Sequence, residues 1–239
     1  MRHILIIGGT DSSGGAGLSR DTEMATRLGA TVSPIVVAVT AQTNARLNAV
    51  FPLPPQQIQS QLDAALHADS PRPQAIKIGM VGSAAAAQVL QQCLPRDLPV
   101  VLDPVFKSSS GGTLMPLEAL APLLQRADLL TPNLPEACHL TGLSPCETEA
   151  DLRQQAEALL ELGPAAVLIK GGHGGGAQSL DHLWTKTGHH CFAAPRLLQG
   201  KRGTGCSLAT AIACELAKGA PLHRACAAAK TALQDWLAS

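Results

Sequence analysis

Tyrosine is absent from this sequence of 239 residues, and the aromatic complement is three phenylalanines and two tryptophans. Alanine and leucine must therefore fill the core. Charge is also scarce, at 15% of residues, and 18 basic side chains balance 18 acidic ones. That balance leaves no electrostatic footprint for nucleic acid. Long apolar runs are missing: Ile4-Leu5-Ile6-Ile7 is too short for a signal-peptide core, and Gly8-Gly9 stops it. No stretch approaches the length of a membrane span, so no membrane partner is expected. The seven cysteines are odd in number and contain no C-x-x-C pair, which argues against a zinc or disulfide scaffold and for a reduced, cytoplasmic protein. No internal repeat, low-complexity tract or composition shift divides the chain. With 46% hydrophobic residues, disorder is excluded and one domain over 1–239 is expected.

What is present is strand and helix in alternation. Residues 3–8 read as a buried strand, followed by a glycine-rich loop over 9–17 and a helix over 16–28 that Gly29 ends. Further strands are predicted over 32–39, 75–79, 99–103, 128–131 and 165–169. A hairpin is predicted over 179–185 and 189–193, turning at Lys186-Thr187-Gly188. The pattern predicts helices over 56–67, 83–93, 116–125, 148–161 and 222–236, a short one opening at Pro132–Glu136, and one between Gly203 and Gly219. Polar residues recur at strand ends, the usual ligand edge of an open parallel sheet. The fold class is α/β, a doubly wound, mainly parallel sheet with helices on both faces.

The segment Gly203-Thr204-Gly205-Cys206-Ser207 is a glycine turn feeding an apolar helix. A helix start leaves backbone N–H groups unpaired and adds partial positive charge, which suits a phosphate. Cys206 lies in or beside the first turn, where a thiol's pKa tends to fall, so it is a candidate proton acceptor. A glycine-rich helix entry with a buried cysteine is the plainer reading. The loop Gly9-Thr10-Asp11-Ser12-Ser13-Gly14-Gly15-Ala16-Gly17 fits neither the Walker pattern nor G-x-G-x-x-G. Asn133 and Glu136 lie one helical turn apart, and two readings stand for them: helix capping, or a shared face toward a metal. Gln42 can donate and accept through one amide, and Met80 is adaptable enough to lie against a flat ring or simply to fill the core. Two clusters are set aside. His189-His190-Cys191 would alternate across a strand and converge poorly on a metal. Gly172-x-Gly174-x-x-Ala177 has no helix after it.

Together, the ordered motifs Gly9–Gly17 with Asp21, Thr40-Ala41-Gln42, Ile76–Met80, Asp103-Pro104-Val105, Thr131–Glu136, Lys170–His173 and Gly203–Cys206 resemble the ribokinase-like superfamily. More narrowly, they resemble the hydroxymethylpyrimidine/phosphomethylpyrimidine kinases of thiamin biosynthesis. The resemblance implies phosphoryl transfer from ATP to a primary alcohol, with Mg²⁺ as cofactor and hydroxymethylpyrimidine or its phosphate as the small-molecule substrate. It also implies a homodimer. It assigns Gly203, Thr204, Gly205 and Cys206 to catalysis, with Cys206 where sugar kinases of the superfamily carry an aspartate base. It assigns Gln42, Gly9, Asp21, Met80 and Val105 to substrate. Lys170, Asn133, Glu136 and Asp103 are implied for the nucleotide, with Glu136 and Asp103 holding the metal through water. The expectation for Arg202, helped by Lys201, is contact with substrate or ATP phosphates from a flap. Pyridoxal kinase activity is the alternative, since some relatives with the same cysteine motif phosphorylate pyridoxal; a non-catalytic ligand-binding protein is a further one. The sequence departs from the family pattern at Ser12, Thr22-Glu23, Phe106–Ser110 and Lys201-Arg202.

Overall fold

The structure, a computed structural model, describes residues 1–106, 120–173, 176–197 and 200–239. Among these residues nine strands form one sheet in the order β3-β2-β1-β4-β5-β6-β7-β8-β9. The parallel centre is β2 (Ala30–Gln42), β1 (Arg2–Asp11), β4 (Ala75–Ile78), β5 (Val100–Leu102), β6 (Leu129–Leu130) and β7 (Ala166–Ile169). Antiparallel strands close both sides: β3 (Leu47–Pro52) on β2, and the hairpin β8 (Gln178–Thr185) and β9 (Gly188–Pro195) on β7.

Alternation along each strand divides the core. On β1, Leu5 and Ile7 face one side while Ile4 and Ile6 face the other. The first side packs on α2 (Pro55–Ala65), α3 (Ala84–Cys93), α4 (Ala121–Leu124), α5 (Leu134–Thr141) and α6 (Glu149–Glu161) through residues such as Ile58, Leu62, Leu90, Leu123, Ala137 and Leu159. The second packs on α1 (Gly17–Arg27), α7 (Thr204–Ala217) and α8 (Leu222–Ala238) through Leu18, Met24, Leu208, Ile212, Ala229 and Leu233. Small alanines on α7 and α8 let these helices approach closely, so a core nearly free of rings still fills. Because both faces are covered, the strands read as continuous apolar runs. This is the doubly wound α/β arrangement expected from sequence.

Several boundaries differ from expectation for physical reasons. β1 runs on through Gly9, Thr10 and Asp11, with a register shift between Gly8 and Gly9, so part of the glycine loop is strand. β2 likewise extends to Gln42 because β3, not predicted, pairs with it from Ala38 to Gln42. β3 is an edge strand with no fully buried residue and so carries no alternating signal. The polar loop expected at Lys107–Gly112 and the first part of the helix expected over 116–125 lie outside the described residues, and the described end of that helix is α4. The glycine run after β7 forms a short 3-10 turn at Gly171–His173 and leads to β8; Gly174 and Gly175 lie outside the described residues. Among the described residues no helix is long and apolar enough to cross a membrane. All seven cysteines are free.

Candidate active site

The carboxyl ends of β1, β2, β4, β5 and β7 and the starts of α1, α5 and α7 converge on one cleft of about 1030 Å³. At one end α7 begins. Gly203 caps it with φ 77°, and a Cβ there would lie 2.7 Å from the Gly15 carbonyl oxygen. Only glycine lets the helix start sit this tightly on the β1–α1 loop. The first intrahelical bond runs from Ser207 N to Gly203 O at 2.8 Å. The preceding N–H groups of Thr204, Gly205 and Cys206 therefore have no intrahelical acceptor and carry the positive end of the helix dipole. Thr204 turns its hydroxyl back to donate to the Lys201 carbonyl at 2.6 Å, which fixes the turn. A Cβ on Gly205 would stand 3.3 Å from Lys170 Nζ and 3.4 Å from Asp103 Oδ2, so the anion hole adjoins a charged pair.

That pair is Lys170 Nζ with Asp103 Oδ1 at 2.7 Å, with Glu136 Oε2 3.8 Å from the same ammonium. Lys170 follows β7 and is tied to Pro132 by its N–H at 2.8 Å; Asp103 follows β5 and also accepts from Thr131 Oγ1 at 3.2 Å. Burial works against the Lys170 charge, but Asp103 and Glu136 outweigh it and carry its pKa up to about 12. Burial likewise pushes the Glu136 carboxyl up to about 7, against the pull of Lys170. Both sequence readings of Asn133 and Glu136 bear on one motif. They form a reciprocal capping box on α5, with Glu136 N donating to Asn133 Oδ1 and Asn133 N donating to Glu136 Oε2, each at 2.8 Å. The cap orients Glu136 toward Lys170. Among the described residues no group of three or more His, Cys, Asp or Glu could grip a metal directly. Two hard carboxylates beside an anion hole do fit Mg²⁺ held mostly by water and phosphate oxygens.

Cys206 sits at the meeting of two helix starts, where the Gly17 N–H of α1 also reaches its sulfur. The sequence led us to expect a lowered thiol pKa; the structure corrects this. Burial pushes the Cys206 thiol up to about 11, and Lys77 opposes that rise without overcoming it. Lys77 falls inside the Ile76–Met80 motif. It lies on β4 on the α1/α7 side, is 1% exposed, and its Nζ donates to Asp21 Oδ2 at 2.7 Å. Burial disfavours its charge, yet Asp21 holds its pKa above the ordinary value. The second Asp21 oxygen accepts from Thr210 Oγ1 of α7 at 2.8 Å. Asp21 borders the cleft but has both oxygens engaged, so the geometry corrects the expectation that it reaches a substrate hydroxyl: it anchors Lys77 beneath Cys206. A lone lysine inside the apolar run Ala75–Ile78 was the available signal, because a buried charge requires a partner.

The other end of the cleft holds Gly9, Met80, Val105 and Gln42. A Cβ on Gly9 would meet Met80 Sδ at 2.8 Å, so the bare glycine makes room for the thioether. Gln42 is nine-tenths buried, and its Oε1 has no hydrogen-bond partner. Beside it, Asp11 Oδ1 accepts from Ser13 N at 2.8 Å and Ser13 Oγ at 2.7 Å. Arg202 Nη2 stands 3.2 Å from Asp11 Oδ2, and Nη1 donates to Ser13 Oγ at 2.6 Å and Asn44 Oδ1 at 3.0 Å. The expectation for Arg202 was a flap cation on phosphates; its guanidinium instead cross-links the ends of β1 and β2. Lys201 points the other way, donating to the Trp236 carbonyl of α8 at 2.7 Å. His189 stacks on Trp184 while His190 stacks on His223, the opposite-face alternation inferred from sequence.

Comparison with known proteins adds a family. The profile described as phosphomethylpyrimidine kinase matches residues 11–239. The chain is 39% identical over 233 residues to a hydroxymethylpyrimidine/phosphomethylpyrimidine kinase of Streptomyces coelicolor, covering 95% of this chain and 85% of that one. It is 38% identical over 234 residues to a thiamine biosynthesis bifunctional protein of Geobacter sulfurreducens, of which it spans 47%. Among solved structures, a phosphomethylpyrimidine kinase of Clostridium difficile superposes with TM-score 0.82 at 32% identity, covering 99% of each chain. A Staphylococcus aureus pyridoxal kinase in complex with AMP-PCP and pyridoxal superposes with TM-score 0.85 at 27% identity, over 99% of this chain and 88% of that one.

Proposed function

The chain belongs to the phosphomethylpyrimidine kinase family, and we propose that it transfers the terminal phosphoryl group of ATP to 4-amino-5-hydroxymethyl-2-methylpyrimidine, to its monophosphate, or to both, in thiamin biosynthesis. It is a phosphotransferase of ribokinase-like fold. The observation that carries the reading is a single cleft with unpaired α7 N–H groups, Cys206 and the Asp103–Lys170 pair at one end and an unpartnered Gln42 amide oxygen at the other.

Phosphoryl transfer needs positioning and charge stabilisation more than covalent help from the protein. The N–H groups of Thr204, Gly205 and Cys206 suit the charge that develops on the transferring group, and Lys170 suits the nucleotide phosphates. Asp103 and Glu136 would hold Mg²⁺, which would supply charge neutralisation at those phosphates. Cys206 accepts the hydroxyl proton through its thiolate, a minor species at neutral pH whose share grows toward pH about 11. Lys77 lends that thiolate a compensating charge. Val105 and Met80 suit the faces of a flat ring, and Gly9 its edge. The same reading takes 1–239 as one kinase domain acting as a cytoplasmic homodimer, with seven free cysteines in keeping with a reducing compartment.

Turnover of ATP with a panel of the pyrimidine, its monophosphate and pyridoxal tests this. The expected result is Mg²⁺-dependent ADP formation with one or both pyrimidines at the highest kcat/KM. Higher kcat/KM with pyridoxal, or no turnover with any of the three, would overturn it.

A further inference from the structure

The chain after Lys170 is rich in glycine: Gly171, Gly172, Gly174, Gly175 and Gly176 follow it. Glycine restrains its own backbone least, so whatever holds the Lys170 ammonium in place must come from neighbouring elements. The Lys170 N–H is tied to the Pro132 carbonyl. The next N–H, that of Gly171, donates to Asp181 Oδ1 of β8 at 2.9 Å. The Gly171 carbonyl accepts from Arg196 Nη2 at 3.2 Å. A Cβ on Gly171 would stand 1.9 Å from the Leu180 carbonyl oxygen, so the turn lies directly on β8. Asp181 is 3% exposed and shares with Ser179 the face of β8 that turns Leu183 into the α7/α8 core. There it meets Lys230 of α8, whose Nζ stands 2.8 Å from Asp181 Oδ2 and donates to Ser179 Oγ at 3.0 Å. A buried ion pair adds little stability over apolar residues of like volume, so its presence in this layer calls for another reason. Ser179, Asp181 and Lys230 line the same cleft as Lys170.

We propose that Asp181 is a positioning residue for the nucleotide: braced by Lys230, its carboxylate pins the Gly171 N–H and so holds the Lys170 ammonium ready for the phosphates of ATP. The inference rests on the kinase reading and deepens it. The two carboxylate oxygens divide the work. Oδ1 stops the glycine run from swinging the end of β7, and Oδ2 takes the ammonium of α8 to stay in place. Lys170 in turn reaches Asp103 at 2.7 Å and adjoins Gly205, so a shift at Gly171 is felt beside the anion hole. Ordering a long, flexible lysine costs entropy on binding unless the fold has already fixed it. The ring end of the cleft is built from the ends of β1, β2 and β4, so it does not depend on this anchor.

The test compares two doubly substituted proteins, Asp181→Leu with Lys230→Met and Asp181→Asn with Lys230→Met. Both remove the two buried charges together at similar volume, and only asparagine keeps an acceptor for the Gly171 N–H. Binding of AMP-PCP with Mg²⁺, and separately of 4-amino-5-hydroxymethyl-2-methylpyrimidine, is measured by calorimetry on folded protein. The expected result is about tenfold weaker AMP-PCP binding in the leucine protein, the loss of one oriented hydrogen bond. The asparagine protein is expected to recover to within about threefold of wild type, a fraction of that bond, and pyrimidine binding to stay unchanged in both. Should the leucine protein fail to fold, hydrogen exchange at Gly171 in the wild type decides: an N–H held by a buried carboxylate exchanges slowly, and exchange as fast as in an exposed loop overturns the anchor. Equal AMP-PCP affinity in the two variants, or equal weakening of both ligands in the leucine protein, would reduce Asp181 to half of a structural ion pair. A wild-type protein that binds the pyrimidine but no AMP-PCP would sink the kinase reading and this inference with it. A wild type that binds both, with variants that do not differ, sinks this inference alone.

Discussion

At one end of the cleft, the start of α7 presents backbone N–H groups beside a carboxylate–ammonium pair, Asp103 with Lys170 at 2.7 Å. At the other, β1 and β2 end in a carboxylate, an amide and hydroxyls cross-linked by Arg202, whose guanidinium reaches Ser13 at 2.6 Å and Asn44 at 3.0 Å. The first end is made of main chain and full charges, which bind any phosphate of the right shape. The second is made of side chains with directional donors and acceptors, which can tell one ring from another. Chemistry and selection are therefore assigned to different materials.

The change expected to separate the ends most strongly is Gly205→Pro. It removes one N–H from the anion hole and adds bulk toward Lys170 and Asp103. A kcat loss of about 10³-fold is expected, typical of deleting an oxyanion donor, while the pyrimidine dissociation constant of the folded variant stays close to wild type. Comparable losses in binding and turnover would break the division.

Cys206→Ala is expected to lower kcat by about 10²-fold, the low end for a general base. Its pH profile sharpens the comparison. A thiol pushed up to about 11 predicts wild-type kcat rising with pH across the neutral range, and a flat profile in the variant. A rising limb that survives the substitution would assign it to another group. Alkylation of Cys206 in the folded protein is expected to titrate well above an ordinary thiol of about 8.5; titration near that value would contradict the burial argument.

Glu136→Gln separates capping from charge at the phosphate end. Glutamine keeps the capping box but removes a carboxylate whose pKa is raised to about 7 by burial. A raised carboxyl binds its proton more tightly folded than unfolded, so the charged form lowers stability as pH rises through about 4.5 to 7. Loss of the charge is therefore expected to raise Tm slightly at pH 8 and to raise the Mg²⁺ concentration for half-maximal rate by about tenfold, one lost charge contact to the metal's water shell. Unchanged Mg²⁺ dependence would leave Glu136 as a helix cap alone.

The smallest effect is expected at Arg202. Since its guanidinium holds Asp11 and not a phosphate position, Arg202→Ala should raise KM for the pyrimidine and its monophosphate alike by about threefold to tenfold, as for a partly buried charged hydrogen bond. Selective loss with the monophosphate would restore the sequence-based expectation of a phosphate contact.

These outcomes bear on what a sequence can disclose. Continuous apolar runs such as Ile4–Ile7 and Ala166–Ile169 marked the central strands because both sheet faces are covered. The start of α7 was legible from Gly203 and Gly205, and the α5 cap from the spacing of Asn133 and Glu136. β3 was not legible, since an edge strand with exposed residues has no periodic pattern to give. The direction of the Cys206 shift was read wrongly because helix-start position is local while desolvation is tertiary: α1, β4 and α7 crowd the sulfur of a half-buried cysteine. The target of Arg202 was hidden for the same reason, being set by Ser13 at a sequence separation of 189 residues. Lys77 gave a local sign, one charge in a buried strand, and its partner Asp21 lies 56 residues away.

The measurement that bears most directly on the division of labour is a double-mutant cycle between the two ends, Glu136→Gln against Asp11→Asn, read as kcat/KM with the pyrimidine. Independent ends predict additive effects within about 0.5 kcal/mol, as for sites with no shared partners. An interaction energy of about 1–3 kcal/mol, the range for residues in one network, would contradict the account and make the cleft a single coupled site.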